Sequence, residues 1–257
     1  AVQPDGNLIV GGDFSSLGGN IVDHLGRIVG ASGHLDVSFI LPGGADATVS
    51  ALAVQPDARI LAGGAFTTIG GVARRYVARL NSGPGTPEPW ANPGPNSPLS
   101  ALTLQPDGGI TVLGTFSRVD GVLCRYLGRL MPDGTRDTRF GPVPDNPVFC
   151  ALLQADGCLV AGGMFQSIGG AAQPRLARFR PDGLLDGAFR PTLDDAVRCL
   201  DIAADGHLIA AGDFTLVNGN TRRHVARLTP DGSLDTAFNP GAGPEGGDIL
   251  AIALQKD

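Results

Sequence analysis

The stretch Val225-Ala226-Arg227-Leu228-Thr229-Pro230-Asp231-Gly232-Ser233-Leu234-Asp235-Thr236-Ala237-Phe238 decides the fold. It reads as a short apolar strand carrying one arginine, a Pro-Asp-Gly turn, and a returning strand that ends on an aromatic. Proline presets the backbone angle of such a turn and glycine takes its left-handed position. Upstream, Leu208-Ile209-Ala210-Ala211-Gly212 is continuously apolar, as a strand buried on both faces should be.

Working outward, every part of this unit recurs. A turn aspartate stands at Asp5, Asp57, Asp107, Asp156, Asp205 and Asp257, at intervals of 52, 50, 49, 49 and 52 residues. A glycine two residues before a phenylalanine gives Gly12/Phe14, Gly64/Phe66, Gly114/Phe116, Gly163/Phe165 and Gly212/Phe214. The in-strand arginine is Arg27, Arg79, Arg129, Arg178 and Arg227, and the closing aromatic is Phe39, Trp90, Phe140, Phe189 and Phe238. Four strands in about fifty residues, repeated, is the arithmetic of a propeller blade. The sequence therefore predicts an all-β, five-bladed β-propeller of four-stranded antiparallel blades. It is one domain, 1–257, with units of approximately 1–50, 51–100, 101–149, 150–198 and 199–250. Segment 249–257 is expected to complete the first blade and close the ring, hiding sheet edges that invite aggregation.

Composition agrees. The 39 glycines and 20 prolines among 257 residues interrupt the chain too often for useful helices, and 42% hydrophobic content excludes disorder. Proline-aspartate-glycine turns make hairpins, which disfavours the alternative of a parallel β-helix. The net charge of −6 and the scattered arginines lack the basic stripe of a nucleic-acid binder. No apolar run is long enough for a membrane helix. The chain opens at Ala1 inside a repeat, as expected of a trimmed piece, so location is not read from its start.

Written out, the unit is A-L-A-V-Q-P-D-G, then I-L-V-G-G-x-F, then V-A-R-L-x-P-D-G-S-L-D-x-x-F-N-P-G. It resembles the delta-60 repeat family of bacterial β-propeller repeats over the whole chain, and the strand order is similar to that of NHL-type propellers. The resemblance implies a propeller in a secreted or surface-exposed bacterial protein with no established activity. The second copy departs most: Ala58 replaces the turn glycine, Asn81-Ser82-Gly83-Pro84-Gly85 replaces the second Pro-Asp-Gly, and Trp90 replaces phenylalanine. A looser outer edge is expected there.

A charge inside an apolar strand needs a partner. The sequence offers Arg27/Asp36, Arg129/Asp137, Arg178/Asp186 and Arg227/Asp235, which face each other across the second hairpin. These are expected to be structural ion pairs. Pro87 occupies the corresponding position of the second copy, so Arg79 is expected to lack a partner. Cys150 and Cys199 occupy a small-residue slot filled elsewhere by Ala51, Ala101 and Ala251, with a bridge between them as the alternative reading. Cys124 and Cys158 share no C-x-x-C spacing. His24, His34, His207 and His224 have no metal-ligand spacing and read as surface residues, and no nucleophile-elbow, zincin, P-loop or EF-hand pattern occurs. No metal or cofactor is expected.

The polar residues that break the repeat are Asp194, Asp195, Arg198 and Asp201. With Trp90, the one tryptophan, they are the candidate binding residues. Tyr76 and Tyr126 are further stacking candidates. Variable loops at 42–47, 92–98, 142–147, 191–196 and 240–248 share one face, flanked by Arg74, Arg75, Arg125, Arg222 and Arg223. Rigid strands presenting divergent loops make a binding surface. The expected function is a non-catalytic binding or scaffolding module, with a protein or glycan partner on that face. A monomer is expected, outside the cell or on its surface by the resemblance, with neither nucleic-acid binding nor membrane insertion. A lectin-like propeller is the second reading. An enzyme with a site in the central channel is the third, and inner strands of Ala, Leu, Val and Gln, with Asp201 the ionisable exception, argue against it.

Overall fold

The computed structural model describes residues 1–90, 94–244, 249 and 251–255. The described residues form an all-β chain, with a single 3-10 turn at Val37–Phe39 and no α-helix. It divides into two compact units, Ala1–Cys124 with Gly128–Asp137, and Arg125–Leu127 with Thr138–Asp257. The first holds the sheets of the first two repeats and, Leu127 apart, that of the third. The second holds the sheets of the fourth and fifth.

Each repeat from the second onward builds a three-stranded antiparallel sheet. The strands are Val49–Val54, Ile60–Gly64 and Val77–Leu80 in the second repeat, and Leu99–Leu104, Ile110–Gly114 and Leu127–Leu130 in the third. They are Val148–Leu153, Leu159–Gly163 and Leu176–Phe179 in the fourth, and Val197–Ile202, Leu208–Gly212 and Val225–Leu228 in the fifth. The middle strand is buried throughout in all four, which explains its continuous apolar sequence. Phe66, Phe116, Phe165 and Phe214 are fully buried beneath these sheets. Each contributes about 2–3 kcal/mol of burial.

The fourth strand is shorter than expected. It is a single antiparallel bridge in each repeat: Ile28 to Leu35, Leu80 to Pro87, Leu130 to Arg136, Phe179 to Leu185 and Leu228 to Leu234. The next residue explains why. Asp36 accepts from the backbone of Ser38, Asp186 from Ala188 and Asp235 from Ala237. These tight local turns pull the chain out of the ladder before a second pair can form.

The first repeat carries two strands, Leu8–Gly11 and Leu25–Ile28. The expected C-terminal closing strand is not formed: 249 and 251–255 carry no strand, while 250, 256 and 257 lie outside the described residues. Ala1 exchanges backbone bonds with Ile9 and Val2 bridges Leu8, so residues 1 and 2 hold only the end of the slot. Within the second unit the Leu254 amide donates to Asp201 at 2.9 Å, which ties the segment there.

The loop after each middle strand proves to be a second hairpin of two-residue strands, such as Ser16–Leu17 with Asn20–Ile21 and Thr68–Ile69 with Val72–Ala73. The turn residues are Gly18-Gly19, Gly70-Gly71, Asp120-Gly121, Gly169-Gly170 and Asn218-Gly219, all at positive φ. That is the type I′ pair that matches strand twist.

The repeated arginine is the main cross-link. Arg27 reaches Asp36 at 2.7 Å, Arg178 reaches Asp186 at 2.6 Å and Arg227 reaches Asp235 at 2.6 Å. Arg129 bonds Asp107 and stands 3.6 Å from Asp137. Arg79 is not unpartnered: Glu88, one residue beyond Pro87, meets its Nε at 3.0 Å. The one-residue offset matches the spacing of Arg27 and Asp36. Four of these guanidinium groups also lie over the repeat's closing aromatic, Arg27 on Phe39, Arg79 on Trp90, Arg178 on Phe189 and Arg227 on Phe238. Three send Nη1 to a turn carbonyl of the next repeat: Arg27 to Ser82, Arg79 to Pro132 and Arg178 to Pro230. The Asp36 carboxyl is held below the usual carboxylate range by the Ser38 hydroxyl and, against its burial, by Arg27. Asp235 is held there first by Arg227.

The outer edge of the second repeat is not loose. Asn81 replaces the missing turn aspartate, accepting from the Gly85 amide at 3.0 Å, and Trp90 donates to the Pro132 carbonyl at 3.1 Å. Its weak point is Ala58, at φ +67 where other repeats place glycine at +80 to +85. A β-carbon disfavours that region by about 1–2 kcal/mol. Ala58→Gly should raise unfolding stability by about 1 kcal/mol once glycine's extra unfolded-state entropy is subtracted, as read by urea denaturation; an unchanged or lower midpoint would show that the turn is not strained.

Candidate functional site

Asp194 lies three residues before the inner strand Val197–Ile202. Its Oδ1 accepts from the backbone of Thr215 and Leu216, and its Oδ2 from the Thr215 hydroxyl at 2.7 Å. The same arrangement recurs three times. Asp46 accepts from Thr67 and Thr68, Asn96 from Ser117 and Arg118, and Asp145 from Gln166 and Ser167. Burial pushes the Asp194 carboxyl up, and the bonds from Thr215 and Leu216 more than offset it, leaving it below the usual range. Asp194 is thus a fastener between the entering loop and the type I′ hairpin. Asp46, Asn96, Asp145 and Asp194 are a further repeat marker that the loop's variable sequence hides.

The remaining candidates do not converge on one another. Asp195 accepts from the Ala196 amide at 2.7 Å. Asp201 accepts from Ile202 and Leu254. Arg198 forms a two-pronged ion pair with Asp213, at 2.8 Å for the shorter contact, and lies over the Phe149 ring at 5.1 Å. Asp213 was not singled out by sequence. Arg198 stands where the second and third repeats have Ser50 and Ser100, and Asp213 where they have Ala65 and Thr115; Asp recurs at this position only as Asp13.

Trp90 is 6% exposed and stacked beneath Arg79. A buried indole offers no face to a sugar. Cys150 and Cys199 are thiols on neighbouring inner strands, not a disulfide. Burial first and the second thiol next push Cys150 up to about 12, so its thiolate is scarce at neutral pH. Among the described residues no three His, Cys, Asp or Glu side chains gather as a metal site.

A different set of side chains is presented outward. The type I′ hairpins expose Ile21 at 81%, Val122 at 49%, Leu123 at 44% and Val72 at 37%. The residue entering the third strand is left-handed in every repeat: His24, Tyr76, Tyr126, Arg175 and His224, with φ between +62 and +68. Its backbone is fixed: in four repeats its amide donates to the marker phenylalanine, as His24 to Phe14 and Tyr76 to Phe66. Its identity is not. Strained positions of this kind persist only where the surroundings over-determine them. The preceding Arg75, Arg125 and Arg223 are exposed and have no carboxylate within ion-pair distance among the described residues. The geometry is a constant scaffold with interchangeable apolar, aromatic and basic tips.

Comparison with known proteins bears on the scaffold. The family model described as a domain of unknown function (DUF5122) beta-propeller matches residues 3–39, 55–89, 105–140, 154–189 and 203–238. No curated protein matches the chain. Among solved structures, virginiamycin B lyase from Staphylococcus aureus is similar over 91% of this chain and 67% of its own, with 15% identity and a TM-score of 0.51. PorZ, a surface component of the type-IX secretion system of Porphyromonas gingivalis, is similar over 99% of this chain and 35% of its own, with 14% identity and a TM-score of 0.55. At such identities the likeness concerns the fold alone.

If Asp194 is a fastener, Asp194→Ala and Asp145→Ala should each lower unfolding stability by about 1–2 kcal/mol, the range for losing a cap of backbone amides. Thermal and urea unfolding check this; a harmless Asp194→Ala beside a damaging Asp145→Ala would point to a ligand role.

Proposed function

The chain belongs to the DUF5122 beta-propeller family, and from that premise we propose that it is a non-catalytic binding or scaffolding module of a bacterial secreted or surface protein, acting through protein–protein contacts. One observation carries this reading. The polar residues that break the repeat are engaged by the fold itself, whereas the outward tips Ile21, Val72, Val122 and Leu123 are apolar and exposed, at positions that carry alanine, asparagine or threonine in other repeats. These exposed aliphatic tips stand beside the exposed Arg75 and Arg125, and arginine is enriched at protein interfaces. A surface location fits PorZ, a surface component of a secretion system, to which the likeness is one of fold.

The lectin-like reading retains Tyr76 and Tyr126, half-buried residues at the left-handed position, but loses Trp90 to the core. An enzyme reading would need acid, base or nucleophile converging on one point. Arg198, Asp213 and Asp201 are committed to one another or to backbone.

The test is a glycan array together with crosslinking capture from the surface of the source bacterium. Ile21→Asp with Val122→Asp should weaken capture at least about tenfold, as loss of apolar anchors does, while leaving the melting curve unchanged. A coherent family of glycan hits, or capture indifferent to these substitutions, would replace the proposal.

A further inference from the structure

Each repeat from the second onward has a notch where three parts meet. These are the first turn residue of its type I′ hairpin, the residue that begins its last segment, and the loop arriving from the repeat before. Isolated bridges hold the loops in one register: Ala45 on Ile69, Pro95 on Val119, Pro144 on Ile168 and Leu193 on Val217. The turn residues are Gly70, Asp120, Gly169 and Asn218, all left-handed, with φ between +48 and +58.

In three of these repeats the protein occupies the notch itself. In the second, Pro87 and Leu41 lie 2.9 and 3.7 Å from where a β-carbon on Gly70 would stand. In the third, the Asp120 carboxyl group lies there and accepts from the Arg136 amide at 3.3 Å. In the fifth, the Asn218 carboxamide does the same: its Oδ1 accepts from the Thr192 amide at 2.8 Å and its Nδ2 donates to the Gly232 carbonyl. The space left beside Asn218 is lined by Asp231 and Ser233, which bond each other.

The fourth repeat places nothing there. A β-carbon on Gly169 would meet no atom within 4 Å. The arriving loop explains this. Three residues, Gly141 to Val143, separate Phe140 from the bridge at Pro144. In the loop that enters the second repeat, five residues, Ile40 to Gly44, separate Phe39 from Ala45 and carry the buried Leu41. What remains in the fourth repeat is a groove of about 220 Å³. Phe179 lines it, met edge-on by Phe140 at 5.6 Å, with Ile168 and Pro142 beside it and the exposed Leu184 at the rim.

Two backbone donors in this repeat lack the side chains that engage their counterparts. Leu185 corresponds to Arg136, whose amide bonds Asp120, and Val143 corresponds to Thr192, whose amide bonds Asn218. Neither the Leu185 nor the Val143 amide has a hydrogen-bond partner among the described residues. An ionised carboxylate accepting from such amides forms bonds about twice as strong as neutral ones. Arg139 lines the same groove and adds positive charge.

We propose that the groove at Gly169 is a binding site for a small organic carboxylate with a compact apolar body. The acid group takes the place that Asp120 holds in the third repeat, on the Leu185 and Val143 amides, and the apolar body lies against Phe179 and Ile168. The groove, about 220 Å³, is smaller than the roughly 300–1,000 Å³ of drug-sized sites. That sets the ligand at the size of a branched-chain or benzoic acid. The site goes beyond the protein-binding reading above and does not rest on it.

The test is an amide NMR titration of the full chain with benzoate and isovalerate, and with benzyl alcohol as the neutral control. Both acids should shift the Val143, Gly169 and Leu185 amides saturably, and benzyl alcohol should not. Gly169→Asn installs the side chain of Asn218 at a φ that asparagine tolerates; it should abolish the shifts and leave the melting temperature unchanged. Leu185→Pro places proline where the second repeat has Pro87 and removes the amide. It should weaken binding at least about tenfold, the loss of one hydrogen bond to a charged group, and it decides the matter if Gly169→Asn does not fold. No saturable shift with either acid, equal shifts with benzyl alcohol, or unchanged affinity in either folded variant would overturn the proposal.

Discussion

Five arginines inside apolar strands set the terms for the rest of this protein. A guanidinium cannot shed its charge, and its five N–H donors all need acceptors once water is excluded. Each of the five meets a carboxylate carried on the same repeat's last segment, and four lie over that repeat's closing aromatic. In Arg27, Arg79 and Arg178 the remaining prong takes a turn carbonyl from the repeat that follows. One side chain thus fixes a hairpin, orients a ring and sets the distance to the next unit. A half-buried charge so fully used costs the fold heavily when any partner is removed.

That constraint explains which parts of the unit vary. The second turn must return its carbonyl to a fixed point, so it is short and stiff, made by Pro-Asp-Gly or by the Asn81 substitute. The middle strand must be flat against its neighbours, so glycine recurs where an inner strand presses on it. The type I′ hairpins and the left-handed residue after them take no part in the clamp. Their backbones are set by fasteners such as Asp46 and Asp194, and their side chains are left to change. The proposed binding role is placed on those tips because, among the described residues, the clamp leaves their side chains free to vary.

Much of this could be read in the sequence, and the misses have physical causes. The period, the arginine–carboxylate pairs and the buried aromatics are legible because each satisfies a constraint that recurs in every copy. Glu88 is hidden because a fixed eight-residue spacing points to Pro87, whereas Glu88, like Asp36, stands nine residues beyond its arginine. The hairpins rest on Gly18-Gly19, Asp120-Gly121 and Asn218-Gly219, dipeptides whose common property is tolerance of positive φ, so in sequence they look like loop glycines. Asp194 resembled a site residue because its counterparts Asp46, Asn96 and Asp145 sit in loops too divergent to align by eye. Trp90 drew attention as the one tryptophan, yet its place in the repeat is that of a buried phenylalanine. The closing strand is expected from repeat counting, with residues 1 to 3 as the tail of the slot it would complete; counting does not register that Leu254 is tied to Asp201.

The claim at the centre of this account is that Arg27, Arg79 and Arg178 each couple their repeat to the one that follows. Native-state hydrogen exchange on Arg178→Met measures it most directly. The account predicts that protection falls together in Leu176–Phe179, which carries the arginine, and around the Pro230–Gly232 turn of the following repeat, which it reaches across 52 residues of chain. Protection lost only within the fourth repeat, with the Pro230 turn and its neighbouring strand Val225–Leu228 unchanged, would contradict it.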